Sequence, residues 1–414
     1  MFFKETDFQE TPIGRFPRDW SVTRLQNICE KVRAGGTPLT SKKEYWNGDL
    51  PFVKIEDITL ASKYLTSTKS FISKEGLSNS NAWLVPENSL LFAMYGSMGE
   101  VSINKIPVTT NQAILGIIPQ DRDDVEFLYY WYSFFKPRWK KYAKPTTQAN
   151  LTAEIVCNSI IPLPPQEERR TIAEILSVVD SVIAKTDEVI AKTERLKKGL
   201  MQTLLTRGIG HKEFKETEIG RIPKEWEVVR LGNKELTKII MGQSPPSSTY
   251  NKEGEGLPFL QGKMEFGEIY PSPVFYCSQP VKIAEQNDIL ISVRAPVGSA
   301  NIAPYKICIG RGLAAIRFNS DKANNWFYFY YFQKIQTFLE NVGRGSTFKA
   351  LTKDDLENLK MPYPPLSEQK RVGEILSAID KKLEFEKKEK VRWERIKLGL
   401  MNLLLTGRIR IKVR

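Results

Sequence analysis

The sequence predicts an α+β protein built as an internal repeat. Two mixed α/β bodies are each followed by a long helix, and the two helices pair antiparallel as a coiled coil about a pseudo-two-fold axis. Three observations predict this. TPIGRFPRDWSVTRL (11–25) returns as TEIGRIPKEWEVVRL (217–231), and IPLPPQEERRTIAEILSVVD (161–180) returns as MPYPPLSEQKRVGEILSAID (361–380). ERLKKGLMQTLLT (194–206) likewise returns as ERIKLGLMNLLLT (394–406). Self-similarity over so long a period is the mark of a duplicated architecture.

Taken in order, residues 1–165 form the first body. It carries the phrase IGRFPRDW (13–20), with a turn glycine and a tryptophan that reads as exposed among charges. Short apolar strands such as SLLFAM (89–94) and AILGII (113–118) follow, set off by Asn, Gly and Pro turns. The aromatic run VEFLYYWYSFF (125–135) reads as core packing rather than as a stacking platform for bases. Residues 166–208 form the first spacer helix. Its start is marked by Gln166, Glu167 and Glu168 after two prolines, where carboxylates favour a helix N-terminus. Ile172, Ile175, Leu176, Val179, Val182 and Ile183 then recur at three-four spacing. About 40 residues at 1.5 Å each make a rod of roughly 60 Å. A lone rod with one apolar stripe is unstable in water, so the duplicate helix is the expected partner, with packing back onto its own body as the alternative. Gly199 and Gly399 lie inside the helices at a cost of about 1 kcal/mol each, which marks them as points of close helix–helix contact or of contact with a partner.

The linker 209–217 holds the single histidine, His211, which reads as solvated. The second body, 218–365, repeats the pattern with IGRIPKEW (219–226), DILISV (288–293), LAAIRF (313–318) and the aromatic NWFYFYYFQKIQTFL (325–339). A second spacer helix covers 366–407, and a basic tail, 408–414, ends the chain. The repeated tails, 161–206 and 361–406, have the same length, whereas the bodies differ. A rigid spacer produces that pattern.

With 61 Lys and Arg against 48 Asp and Glu in 414 residues, the chain has a formal net charge of +13. Such an excess points to a polyanionic partner, nucleic acid ahead of anionic membrane. There is no apolar run of about 18 residues, and Lys4, Glu5 and Asp7 interrupt any signal-peptide layout, so the expected location is the cytoplasm and no membrane partner is expected. Cys29, Cys157, Cys277 and Cys308 are scattered, without a CxxC, and read as reduced, mostly buried thiols. No HExxH, GxxxxGK[ST], GxSxG or strand-linked GxGxxG is present. EFK (213–215) and EKK (386–388) lack the preceding acidic residue of a nuclease motif. A non-enzyme with no metal or cofactor of its own is the expectation.

The candidate binding residues lie in loops that correspond between the halves. RAGGTPLTSKKEYW (33–46) stands opposite MGQSPPSSTYN (241–251). The hydroxyls and ammonium groups of Thr37, Lys42, Lys43 and Tyr45, and the side chains of Gln243, Ser244, Ser247, Ser248 and Tyr250, suit phosphate oxygens. YGSMG, with Tyr95 and Ser97, faces RAPVG, with Arg294. TTNQA, with Asn111 and Gln112, faces IGRGLAA, with Arg311. AKPTTQANL, with Thr147 and Gln148, faces GRGSTFKAL, with Arg344, Ser346 and Lys349. Lys54 and Lys263 complete the set. Amides suit adenine and guanidinium suits guanine, so these loops have the chemistry to read base edges. Their identities differ between halves, as two readers of unlike sequence require.

On these features the chain resembles the specificity subunits of type I restriction–modification enzymes. The paired TxIGxxPxxW openings, the PLPPQEE and PYPPLSE entries to long helices, the GLMxxLLT endings and the GQSPPSSTYN and SVRAPVG loops carry the resemblance, which covers essentially the whole chain. It implies a non-catalytic reader of double-stranded DNA with two target-recognition domains. Each recognises one half of a bipartite, asymmetric site, and the helices set the gap. It further implies docking of two modification (methyltransferase) subunits and of restriction subunits, with S-adenosylmethionine, ATP and Mg bound in those partners. A coiled-coil scaffold that assembles partners without reading DNA is the rival expectation.

Overall fold

The computed structural model describes residues 2–143, 150–342 and 350–412. The chain divides into two compact units, one of residues 1–186 with 389–414 and one of residues 187–388.

In the first unit, Cys29–Ala34, Ile114–Pro119, Leu90–Ala93, Val101–Asn104 and Tyr64–Leu65 form a five-stranded sheet in that order. Its pairs are antiparallel except the last. Strand alternation sorts the side chains between two layers. Leu90, Phe92, Leu115 and Ile117 enter the main core, whereas Leu91, Ile114 and Ile118 join Val53, Ile58 and Val85 on the opposite face. The helix Asp124–Phe135 covers the first face with Phe127, Leu128, Tyr130, Trp131 and Tyr132, all buried. The aromatic run is therefore core, as expected. A three-stranded sheet of Thr109–Thr110, Leu50–Val53 and Ser70–Ile72 lies beside it.

The second unit repeats the plan. Thr237–Met241, Leu313–Phe318, Ile289–Ser292 and Ala300–Ile302 form a four-stranded sheet. Ile289 and Ile291 enter the main core and Leu290 the smaller one. The aromatic helix Asn325–Lys334 buries Phe327, Tyr328, Phe329, Tyr330 and Phe332. A five-stranded sheet contains Leu257–Leu260 next to Ile307–Ile309, a parallel pair like Leu50–Val53 with Thr109–Thr110.

The long helices run Gln166–Arg207 and Leu366–Leu404. Each unit holds the first part of one helix and the last part of the other. In the first unit, Ile172, Ala173 and Leu176 share the core with Met401, Leu404 and Leu405, while Asp180 meets Lys397 at 2.6 Å. The two segments therefore run antiparallel there. In the second unit, Leu204 and Leu205 share the core with Val372 and Leu376, while Lys197 meets Asp380 at 2.6 Å. The apolar stripe serves the partner helix and the adjoining body together, so the two sequence expectations for it are both met.

Three readings of the sequence need correction. Trp20 and Trp226 are not exposed but 1% and 0% accessible, because each forms the seat for the end of a long helix. A Cβ on Gly407 would lie 3.1 Å from the Trp20 ring, and one on Gly208 2.8 Å from that of Trp226. Both glycines hold positive φ, +65° and +64°, where L side chains are strained. This seat is what the duplicated TxIGxxPxxW phrase builds. His211 is not solvated either: its Nε2 lies 3.0 Å from both carboxylate oxygens of Glu368, of which Oε2 also accepts from Trp226 Nε1 at 2.9 Å. The place of His211 is taken in the first unit by Arg410, which binds Glu168, Asp19 and Glu5. Finally, Gly199 and Gly399 are not points of close helix–helix contact, since a Cβ on either meets nothing of this chain within 4 Å, which leaves contact with a partner as the reading for them.

Candidate nucleic-acid interface

Four loops meet at one edge of each body, two from each of its two sheets. In the first unit these are the segments after Cys29–Ala34, Leu50–Val53, Leu90–Ala93 and Thr109–Thr110. In the second they follow Thr237–Met241, Leu257–Leu260, Ile289–Ser292 and Ile307–Ile309. Close backbone approach holds each cluster together. A Cβ on Gly35 would sit 2.0 Å from the Thr110 carbonyl oxygen, and one on Gly242 2.2 Å from that of Gly310. Only glycine lets the first loop cross the fourth at these points. The Gly36 and Gln243 amides then donate to Thr110 and Ile309 carbonyls, both at 3.0 Å.

The structure brings most of the candidate residues of the first half together. Thr37 donates to the Gln112 side-chain oxygen, and Ser97 lies 3.2 Å from the Thr59 hydroxyl. Asn111 folds its side chain back to cap the Ala113 amide at 3.0 Å, which orients it at the turn. Thr37, Lys42, Lys43 and Gln112 are exposed, and Lys54, Tyr95, Ser97 and Asn111 are half-buried. Tyr45 is 3% accessible. Its ring is part of the fold and its hydroxyl takes a hydrogen bond from Lys42 at 3.0 Å, which raises the Lys42 pKa and keeps that ammonium charged.

In the second unit Ser244 is the junction. It accepts from Gln261 Nε2 at 3.0 Å and from the Arg311 amide at 3.2 Å. Lys263 reaches Ser299 at 3.3 Å, and the Tyr250 hydroxyl is tied to the Pro245 carbonyl at 2.9 Å. Arg294, Arg311, Gln243, Ser247 and Ser248 are exposed. Sequence reasoning missed Gln261 and Met264, the latter 92% accessible beside Lys263. The signal was their place directly after the strand LPFL, opposite Lys54 after LPFV. Thr147, Gln148, Arg344, Ser346 and Lys349 lie outside the described residues.

Some cations of the protein are committed to its interior. Arg169 is locked to Asp124 at 2.6 Å, Arg317 to Asp288 at 2.8 Å and Arg410 to Glu168 at 2.8 Å, all in the interior or at its margin. Among the described residues, Lys43, Lys54, Lys263, Arg294 and Arg311 have no carboxylate partner within ion-pair distance. Cations with structural partners are spent on the fold, whereas unpaired loop cations remain available to phosphates and base edges. The described residues contain no cluster of three His, Cys, Asp or Glu suited to a metal, and no helix among them is long and apolar enough to cross a membrane.

Comparison with known proteins agrees in family and in extent. The type I restriction modification DNA specificity domain matches residues 17–195 and 223–395. A type I restriction enzyme MjaX specificity subunit of Methanocaldococcus jannaschii is 44% identical over 423 residues, covering 100% of this chain and 99% of its own. Among solved structures, a chain from a study of complex assembly and conformational transition of the type I R-M system is 30% identical. It covers 95% of this chain and 99% of its own at a TM-score of 0.60. The type I restriction–modification S subunit of M. genitalium, 17% identical over 96% of this chain and 97% of its own, shares the fold at a TM-score of 0.61.

Proposed function

The chain belongs to the type I restriction modification DNA specificity family, and from that premise we propose that it reads a bipartite, asymmetric site in double-stranded DNA. Each loop edge takes one half-site, and the paired helices set the gap between them. The observation that carries this reading is the duplicated four-loop edge with unlike side chains: Gln112 and Asn111 on one frame, Arg311 and Arg294 on the other. Amides on one side and guanidiniums on the other favour adenine-containing and guanine-containing half-sites respectively. The unpaired lysines beside them supply the sequence-blind, salt-dependent share of affinity.

The chain works in the cytoplasm as the non-catalytic member of its complex. It holds no cofactor, and docks two modification subunits, which bind S-adenosylmethionine and methylate the DNA, together with restriction subunits that use ATP and Mg. The test is direct. Purified chain with labelled duplex should bind but transfer no methyl group from S-adenosylmethionine, and addition of the modification subunit should restore transfer. Methylation by the chain alone contradicts the assignment. Absence of any DNA affinity, alone or in the complex, would make a scaffold the better description.

A further inference from the structure

Apart from the Arg410 and His211 clusters at the helix ends, each unit contains a polar knot between the long helices that the DNA-reading residues do not use. In the first, Asp180 on the first long helix accepts a hydrogen bond from the Tyr130 hydroxyl at 2.7 Å and pairs with Lys397 of the second long helix at 2.6 Å. In the second, Asp380 accepts from Tyr330 at 2.7 Å and pairs with Lys197 at 2.6 Å. The lysines also stand over the tyrosine rings, at 5.8 and 5.5 Å from the centroids. Both tyrosines are 0% accessible and belong to the aromatic helices of the bodies. The two knots thus match atom for atom, with the helix roles exchanged.

We propose that Asp180 and Asp380 are registration residues: each ties a recognition body, the long helix following it and the opposing long helix at one point, and so limits the protein to a single gap between half-sites. The inference rests on the DNA-reading function proposed above. Its physical basis is that stability does not require such a knot. An apolar contact of the same size would hold the helices as well or better, because burying charge is costly. An apolar stripe, however, tolerates sliding by a turn, whereas an aspartate between a tyrosine and a lysine from two other elements is satisfied in one register only. The first knot has an added member. Lys63, 5% accessible, donates to Tyr130 at 2.9 Å and to Ser177 at 3.2 Å and pairs with Glu126. The second knot is therefore the simpler one to dismantle.

In the full-length chain, the triple substitution Y330F, D380L and K197M replaces that knot with apolar groups. Spin labels at exposed Lys192 and Lys388, both within the second unit, report the helix register without DNA. Selection from random duplexes reports the gap. The expected result is a folded protein whose half-site motifs are unchanged but occur at neighbouring gap lengths, with a broadened or doubled label distance. One narrow distance and one gap, as in the parent, both in this variant and when Y130F, D180L and K397M are added to it, would overturn the proposal while leaving DNA reading intact. A parent chain that selects no split motif would instead remove the functional premise, and the label distance would still decide whether the knot sets register. Should the triple variant fail to fold, D380N, which deletes the charge but retains an acceptor for Tyr330, takes its place under the same readings.

Discussion

Arg294 and Arg311 stand exposed at the loop edge without carboxylate partners among the described residues, while Lys43 occupies the flank of the same kind of edge in the other unit. Replacing either arginine with alanine should cost about 1–3 kcal/mol of binding and relax preference at one base position, measured by competition among single-base variants of the target. Lys43→Ala should instead weaken all sequences alike and reduce the slope of log K against log salt by about one. Thiol chemistry gives an independent check of the interior. Burial pushes the Cys29 thiol up to about 12 and the Cys308 thiol up to about 11. An ordinary thiol, with a pKa of about 8.5, is partly thiolate at pH 8 and is alkylated, whereas these two are raised well beyond that and are buried, so iodoacetamide at pH 8 should leave both unmodified until denaturant is added. Residue types in loops were legible in the sequence because Gly, Pro and polar side chains announce turns locally. The burial of Trp20 and the bonding of His211 were not legible. Their partners, Gly407 and Glu368, lie hundreds of residues away or across a helix start, and no local pattern encodes them.

At the scale of elements, the ends of the long helices matter more than their middles. Gly407→Ala places a methyl group at positive φ against Pro17 and Trp20, and should lower stability by about 1–3 kcal/mol in denaturant titration. Arg410→Met leaves Glu168, 2% accessible, with a buried and uncompensated charge. Removal of one partner from a buried pair commonly costs about 3–5 kcal/mol, so this variant should show the larger loss. If Arg410→Met melts like the parent, the seat for the helix end is not a structural joint. The helices themselves were read from three-four periodicity and from the equal lengths of 161–206 and 361–406, and their observed bounds follow that reading closely. What periodicity could not show is the knot at Asp180, because a single aspartate on a charged helix face reads as solvated until Tyr130 and Lys397 are seen around it.

For the whole molecule, a net charge of +13 and a duplicated frame make one joint claim: affinity that falls steeply with salt, and specificity divided between two unlike half-sites. The spacer role is quantitative. Deleting one heptad from each helix, residues 185–191 and 386–392, shortens the rod by about 10 Å, equal to about three base pairs of 3.4 Å rise. The most direct measurement is selection of bound sequences from a random duplex pool, with the modification subunit present, for the parent and for this deletion. Two unlike half-motifs at one fixed gap, with the gap about three base pairs shorter in the deletion variant, are the predicted result. A single contiguous motif, or a gap unchanged by the deletion, would contradict the claim that this chain is a two-headed DNA reader with a helical ruler.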